Sequence, residues 1–211
     1  MSISTTYFVN TTVAADNAAE VYTWLQKYAS EYFDSFAISE DGLTISCFIG
    51  ALEAAQIYGF GGYCYLKVFL PNGATSTFKS GSAEAFITKA VKTSGGIVLL
   101  CDDKSKSPFV FFTKSASGDT AIVFASASSV SSSQKIYAVI PPKEAEFKSF
   151  YVHYDVATND YTSLAPIVCP GGTGYLPQIF RAVYNQYQST EGIITLCGKQ
   201  YYTNGYLMLA L

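Results

Sequence analysis

The sequence predicts an α+β fold dominated by strands: an antiparallel meander with about three covering helices. Three observations predict it. Four apolar, strand-like runs follow one another in the middle of the chain: "GIVLLCDD", "FVFFTKS", "TAIVFASAS" and "KIYAVIPP". The segments between them, such as "KSKSP" and "ASGD", are too short for crossover helices, so neighbouring runs pair antiparallel. Three other stretches carry apolar residues at helical spacing.

The first helix is predicted over 17–33. Asn17 with Glu20 three residues on resembles a capping box, and Val21, Leu25, Tyr28, Ala29 and Tyr32 line one face. In "FAISEDGLTISCFIG" two short apolar runs flank Asp41-Gly42, a hairpin turn signal. "ALEAAQIYGFGG" is expected to add one helical turn. "YCYLKVFLPNG" reads as a strand ended by Pro71-Asn72-Gly73. A second helix is predicted over 82–92, with Ser82 as N-cap and Gly95 as the residue just past its end. The meander follows. After Pro141-Pro142 the chain is irregular until "IVCPGGTGYLPQIFRAVYNQYQ", which reads as a strand, a glycine loop and a third helix. Pro177 suits that helix's first turn, and Leu176, Ile179, Phe180, Val183, Tyr184 and Tyr187 share a face. The closing stretch makes three short strands, with turns at Gly198-Lys199 and Asn204-Gly205, the latter a type I′ signal.

With 211 residues the chain is read as a single domain, 1–211, with a subdivision near 141 as the alternative: 1–140 holding a helix and antiparallel sheet, 141–211 the rest. Only 14% of residues are charged, where about 25% is typical, and Ser, Thr, Gly and aromatic residues replace the missing charge. There are 17 Tyr and 15 Phe, residues that fill β-rich cores and also populate surfaces that meet other proteins. The net charge of -3 and the absence of a basic run argue against sequence-specific nucleic-acid binding; "DDKSKS" around Lys104 and Lys106 reads as a solvated turn. The longest uncharged stretch, 161–180, holds Pro166, Pro170 and Pro177 with Gly171, Gly172 and Gly174, so it is not a membrane helix. The N-terminus lacks the basic start and apolar block of a signal peptide, which makes the sequon at Asn10 a chance match. Cys47, Cys64, Cys101, Cys169 and Cys197 are odd in number and form no C-x-x-C pair, so they read as buried free thiols in a reducing cytoplasm.

Chemistry-bearing patterns are sparse. His153 is the one histidine, and "YVHYDV" sets it two residues from Asp155, on one face of a strand. Any strand with two polar residues looks the same. "PGGTGYLP" lacks the Gly-Lys-Ser/Thr ending of a phosphate loop and the spacing of a dinucleotide fold. Asp102-Asp103, Glu144/Glu146 and Asp155/Asp160 read as surface turns, and "DVATND" is too sparse for a calcium loop. No catalytic, cofactor or metal site is predicted.

The apolar end "YLMLAL" follows the Asn204-Gly205 turn and should pair antiparallel with the strand holding Tyr201 and Tyr202. Alternation sets Tyr206, Met208 and Ala210 on one face and Leu207, Leu209 and Leu211 on the other. Both faces are apolar, so the strand lies inside a covered sheet or at a contact with a neighbouring subunit. Tyr201, Tyr202, Tyr206, Leu207, Met208, Leu209 and Leu211 are therefore the candidate interface residues.

Two segments carry a resemblance. "SPFVFFTKSASGDTAIVFASASSVSSSQKIYAVIPP" and the closing "EGIITLCGKQYYTNGYLMLAL", with its G-x-x-x-L-x-G-K-x-Y-Y pattern, resemble structural proteins of tailed bacteriophages. The likeness covers about half the chain. It implies a component of the head, neck or tail, present in many copies after synthesis in the bacterial cytoplasm. Its implied partners are copies of itself and other virion proteins, with no cofactor. The rival expectation is a receptor- or carbohydrate-binding module whose Tyr rings stack on sugars. A third is a small hydrolase using His153.

Overall fold

The computed structural model describes residues 6–9, 18–61, 63–79, 87, 89–100, 108–126, 133–141, 143, 144, 146, 148–153, 164–169, 174–182, 192–196, 198–203 and 207–211. In chain order the elements are β1 (Thr6–Val9), α1 (Ala18–Tyr28), β2 (Ser35–Ile38), β3 (Thr44–Ile49), β4 (Leu52–Phe60), β5 (Tyr63–Phe69) and β6 (Thr75–Lys79). Then come β7 (Lys89–Lys92), β8 (Gly96–Leu100), β9 (Pro108–Lys114), β10 (Thr120–Ser126), β11 (Ser133–Val139) and β12 (Lys148–His153). The chain closes with β13 (Leu164–Cys169), β14 (Gly174–Ala182), β15 (Gly192–Leu196), β16 (Lys199–Thr203) and β17 (Leu207–Ala210).

These strands form three antiparallel sheets among the described residues. The first is the meander β2-β3-β4-β5-β6. The second, seven strands wide, runs β1-β7-β8-β9-β10-β11-β12. The third has the order β13-β14-β17-β16-β15. The expected meander is β8 to β11, extended by one strand at each end of the run and by β1 beyond. β11 and β12 pair across residue 141.

The second sheet is the middle layer, and alternation along its strands shows why. Ile97, Leu99, Val110, Phe112, Ile122 and Phe124 point to one face, into a core shared with α1 and the first sheet. Val98, Phe111, Ala121, Val123 and Ala138 point to the other, into a second core with Tyr202 and Leu209 of the third sheet. A strand covered on both faces needs apolar residues at every position, which is why "GIVLL", "FVFF" and "AIVF" run without interruption. Each fully buried Val, Ile, Leu or Phe here contributes about 1.5–3 kcal/mol of transfer free energy. Aromatic contacts join the layers: Phe33 meets Phe112 edge to face at 4.8 Å and 88°, and Phe78 of β6 meets Phe124 at 4.5 Å with the rings tilted by 30°.

The hairpin turns follow local chemistry. Asp41 accepts the Leu43 N–H at 3.0 Å while Gly42 takes φ 71°. At the end of β5, Asn72 accepts the Ala74 N–H at 3.0 Å.

Strands dominate as expected, but the helices differ. α1 spans 18–28, and it is the helix among the described residues. "ALEAAQIYGF" forms β4 instead of a helical turn. Its Ala, Leu and Glu favour helix, yet Ala55 and Ile57 alternate into the core between two paired neighbours, and pairing overrides propensity. The end of the second predicted helix, Lys89–Lys92, is β7, paired to β1 and β8; most of 82–88 lies outside the described residues. Its supposed C-terminal glycine closes a hairpin: the Gly95 and Gly96 N–H groups donate to Thr93 Oγ1 at 3.1 and 3.2 Å, and Thr93 N–H donates to the Gly96 carbonyl. The Pro177 stretch is strand β14. The ladder to β13 runs Ile167↔Leu176 and then Pro166↔Phe180, so Pro177 sits in an unpaired bulge where a missing N–H costs no ladder bond. Val183, Tyr184 and Tyr187 lie outside the described residues.

Candidate functional site

The C-terminal hairpin is built around β17. The last strand is central in its sheet: Ile179↔Leu209 and Phe180↔Met208 pair it to β14, and Tyr202↔Leu209 and Tyr201↔Ala210 pair it to β16. The expected pairing with the Tyr201–Tyr202 strand is present. Of the candidate interface residues, Tyr202 and Leu209 are 2% and 0% exposed and lie in the core against the middle sheet, with Leu211 packed beside them. Tyr201, on the opposite face, is also buried. The chain's own fold thus supplies the cover for Tyr202 and Leu209. Leu207 and Met208 are described in their backbone only, and Tyr206 lies outside the described residues. Two contacts seat this sheet on the middle layer. Gly95 N–H donates to the Ala210 carbonyl at 3.2 Å, and the Gly96 backbone lies so close that a Cβ there would sit 2.5 Å from the Phe112 carbonyl oxygen and 3.1 Å from Leu209 Cδ1.

The outer edge of that sheet is β15. Its ladder to β16 runs Gly192↔Thr203, Ile193↔Tyr202, Ile194↔Tyr201, Thr195↔Gln200 and Leu196↔Lys199. Gln200 accepts the Leu211 N–H at 3.0 Å, so its backbone bonds toward β17 and the pair it forms with Thr195 is the non-hydrogen-bonded kind. By alternation the Ile193 and Thr195 amides point out of the sheet. Both side chains are exposed, Ile193 by 48%.

A second surface is the outer face of β4–β6, for which the sequence gives no distinctive signal. Period-two alternation in "YCYLKVF" buries Cys64, Leu66 and Val68 and turns Tyr63, Tyr65, Lys67 and Phe69 outward. Tyr65 stacks on Tyr58 of β4 at 5.2 Å and 10°. Partial burial, then the neighbouring Tyr65, raise the Tyr58 hydroxyl's pKa, and a hydrogen bond with Thr77 opposes them. Lys79 Nζ lies 3.3 Å above the Tyr63 ring and Lys67 Nζ 4.9 Å from the Phe69 ring. Phe60 at the hairpin tip is 74% exposed.

A polar cluster ties the α1–β2 loop to the middle sheet. Lys92 pairs with Glu31 and donates to the Tyr32 hydroxyl at 3.1 Å. Burial lowers the Lys92 amine to about 8 and pushes the Tyr32 phenol up. Lys114 donates to Thr120 at 3.0 Å, and Thr120 donates to the Tyr32 carbonyl. Asp119 is held below its ordinary range by hydrogen bonds from Lys143, at 2.6 Å, and from Ser117. Opposite charges are matched here, so the cluster reads as structural. A groove of about 490 Å³ runs along α1 beside Thr23, Trp24, Lys27 and Tyr28.

The remaining expectations can be placed one by one. His153 ends β12 opposite Ser133, and Asp155 lies outside the described residues. The glycine loop 170–173 is likewise outside, and the element after it is β14, so the helix N-terminus that an anion site requires is replaced by a strand. Glu144 is 8% exposed rather than a surface residue and accepts the Ile140 N–H at 2.9 Å, closing the turn after β11. Glu146 is exposed; Asp102, Asp103 and Asp160 are outside the described residues. Cys47 and Cys64 are buried free thiols, and burial, with the Glu53 charge adding, raises the Cys47 thiol's pKa into the unreactive range. Among the described residues no three His, Cys, Asp or Glu side chains gather as metal ligands, and no helix is long and apolar enough to cross a membrane.

No family model, curated protein or solved structure matches the chain.

Proposed function

We propose that the chain is a structural component of a tailed-bacteriophage virion, acting by oligomeric assembly in the head, neck or tail. Its partners are copies of itself and other virion proteins, and it reaches the particle after synthesis in the bacterial cytoplasm. The observation that supports this reading is the open architecture. Three stacked antiparallel sheets leave six outer strands among the described residues, each a row of backbone donors and acceptors. Such edges add strands from neighbours, and repeated copies turn a small contact into a particle. Size-exclusion chromatography with light scattering tests it: a discrete oligomer or larger assembly is expected, and a monomer at all concentrations contradicts it.

A second reading is a receptor- or carbohydrate-binding module of the adsorption apparatus. It is favoured by the outward aromatic rows of Tyr58, Tyr63 and Tyr65 beside Phe60 and Lys79. Titration of a glycan array with the purified chain separates the two. A monomer whose glycan binding is lost on Tyr65→Ala supports this second reading; no binding removes it.

A further inference from the structure

We propose that β15 is the edge at which a second copy of this chain docks, pairing strand to strand across a two-fold axis at Ile194. The inference rests on the assembly reading above and names the surface that carries it.

Outer strands that meet solvent are ordinarily blunted by brevity, charge, proline or bulges. β1 and β2 have four residues each, and β2 packs beside α1. β6 is polar and ends in Lys79, β12 begins with Lys148, and β13 carries Pro166 at a register shift. β15, "GIITL", has five residues and none of these devices.

Its apolar side chain is also left uncovered on the wrong side. Ile193 lies opposite Tyr202, so both project from the face of the sheet that packs on the middle layer. Tyr202 is 2% exposed, whereas Ile193, one strand further out, is 48% exposed. The third sheet therefore overhangs the middle one along β15, and Ile193 is a core-facing residue without a core. A strand added beyond β15 places a side chain beside it on the same face.

The strand fits its own copy. The outward amides belong to Ile193 and Thr195, and antiparallel pairing about Ile194 sets Ile193 against Thr195 of the second copy and the reverse. Each such pair exchanges both of its N–H···O bonds, and a strand without charges meets its copy with no like-charge opposition.

The test is a charge swap read by light scattering. One variant carries Ile193→Lys with Thr195→Lys, the other Ile193→Glu with Thr195→Glu. Both positions are exposed, so circular dichroism and melting temperature should match the wild type. In each variant like charges face each other, and self-association should weaken at least about tenfold, which is about 1.4 kcal/mol. Mixing the two variants sets Lys against Glu and should restore the wild-type mass. Assembled variants of unchanged mass, or no recovery on mixing, overturn the β15 contact while leaving assembly through another surface standing. A wild-type chain that is monomeric at every concentration overturns the β15 contact and the assembly reading together.

Discussion

Lys92 shows how much one half-buried charge reports about the fold. Its amine is lowered to about 8 from an unfolded value of 10.5 by burial, with Glu31 at contact favouring the charged form. Between these values the unfolded chain binds the extra proton, so stability attributable to Lys92 rises as pH increases from about 8 to 10.5. With the discount for its partial exposure, the gain is on the order of 1 kcal/mol. Lys92→Met should flatten that rise in urea unfolding curves taken across the window; an unchanged pH profile contradicts the burial of this amine. Gly96 is the second informative residue. Gly96→Ala drives a methyl group against the Phe112 carbonyl and Leu209, where the backbone has to give, and should cost about 1–3 kcal/mol in denaturant unfolding. A stability loss of a few tenths would mean that the third sheet is not seated on that turn.

At the scale of elements, the runs "GIVLL" and "FVFF" were legible as strands because both of their faces are buried, so composition alone carries the signal. The Asp41-Gly42 and Pro71-Asn72-Gly73 turns were legible because their side chains bond their own backbone. "ALEAAQ" and "KAVK" were not, since short segments with helix-forming residues are decided by the ladders they join on both sides, which their own composition does not encode. Pro177 suits a helix start and a bulge equally, and only the register with β13 separates the two. The pairing of "YLMLAL" with the Tyr201–Tyr202 strand follows from a local turn signal; its second neighbour, β14, lies far back along the chain, so the strand's central position was not legible. That position makes a prediction. Removing 207–211 splits the third sheet into β13-β14 and β16-β15 and uncovers Phe111 of the middle sheet. The truncated chain should be insoluble or bind a dye for exposed apolar surface, whereas a soluble, cooperatively melting product contradicts the topology. Leu209→Ala alone should cost about 2–5 kcal/mol.

For the whole molecule, two cores lie on opposite faces of one seven-stranded sheet among the described residues and make a three-layered slab. The low charge and the abundance of Tyr seen in the composition then divide between interior and surface. Tyr32, Tyr201 and Tyr202 are buried, while Tyr58, Tyr63 and Tyr65 stand on an outer face. Under the proposed function such a slab would act by fitting together with its neighbours in a virion. Quantitative mass spectrometry of purified particles of the phage proposed to encode the chain tests this role most directly. A virion component is expected at a fixed, stoichiometric copy number relative to the major particle proteins; absence from intact particles, or a trace amount that varies between preparations, would contradict the role.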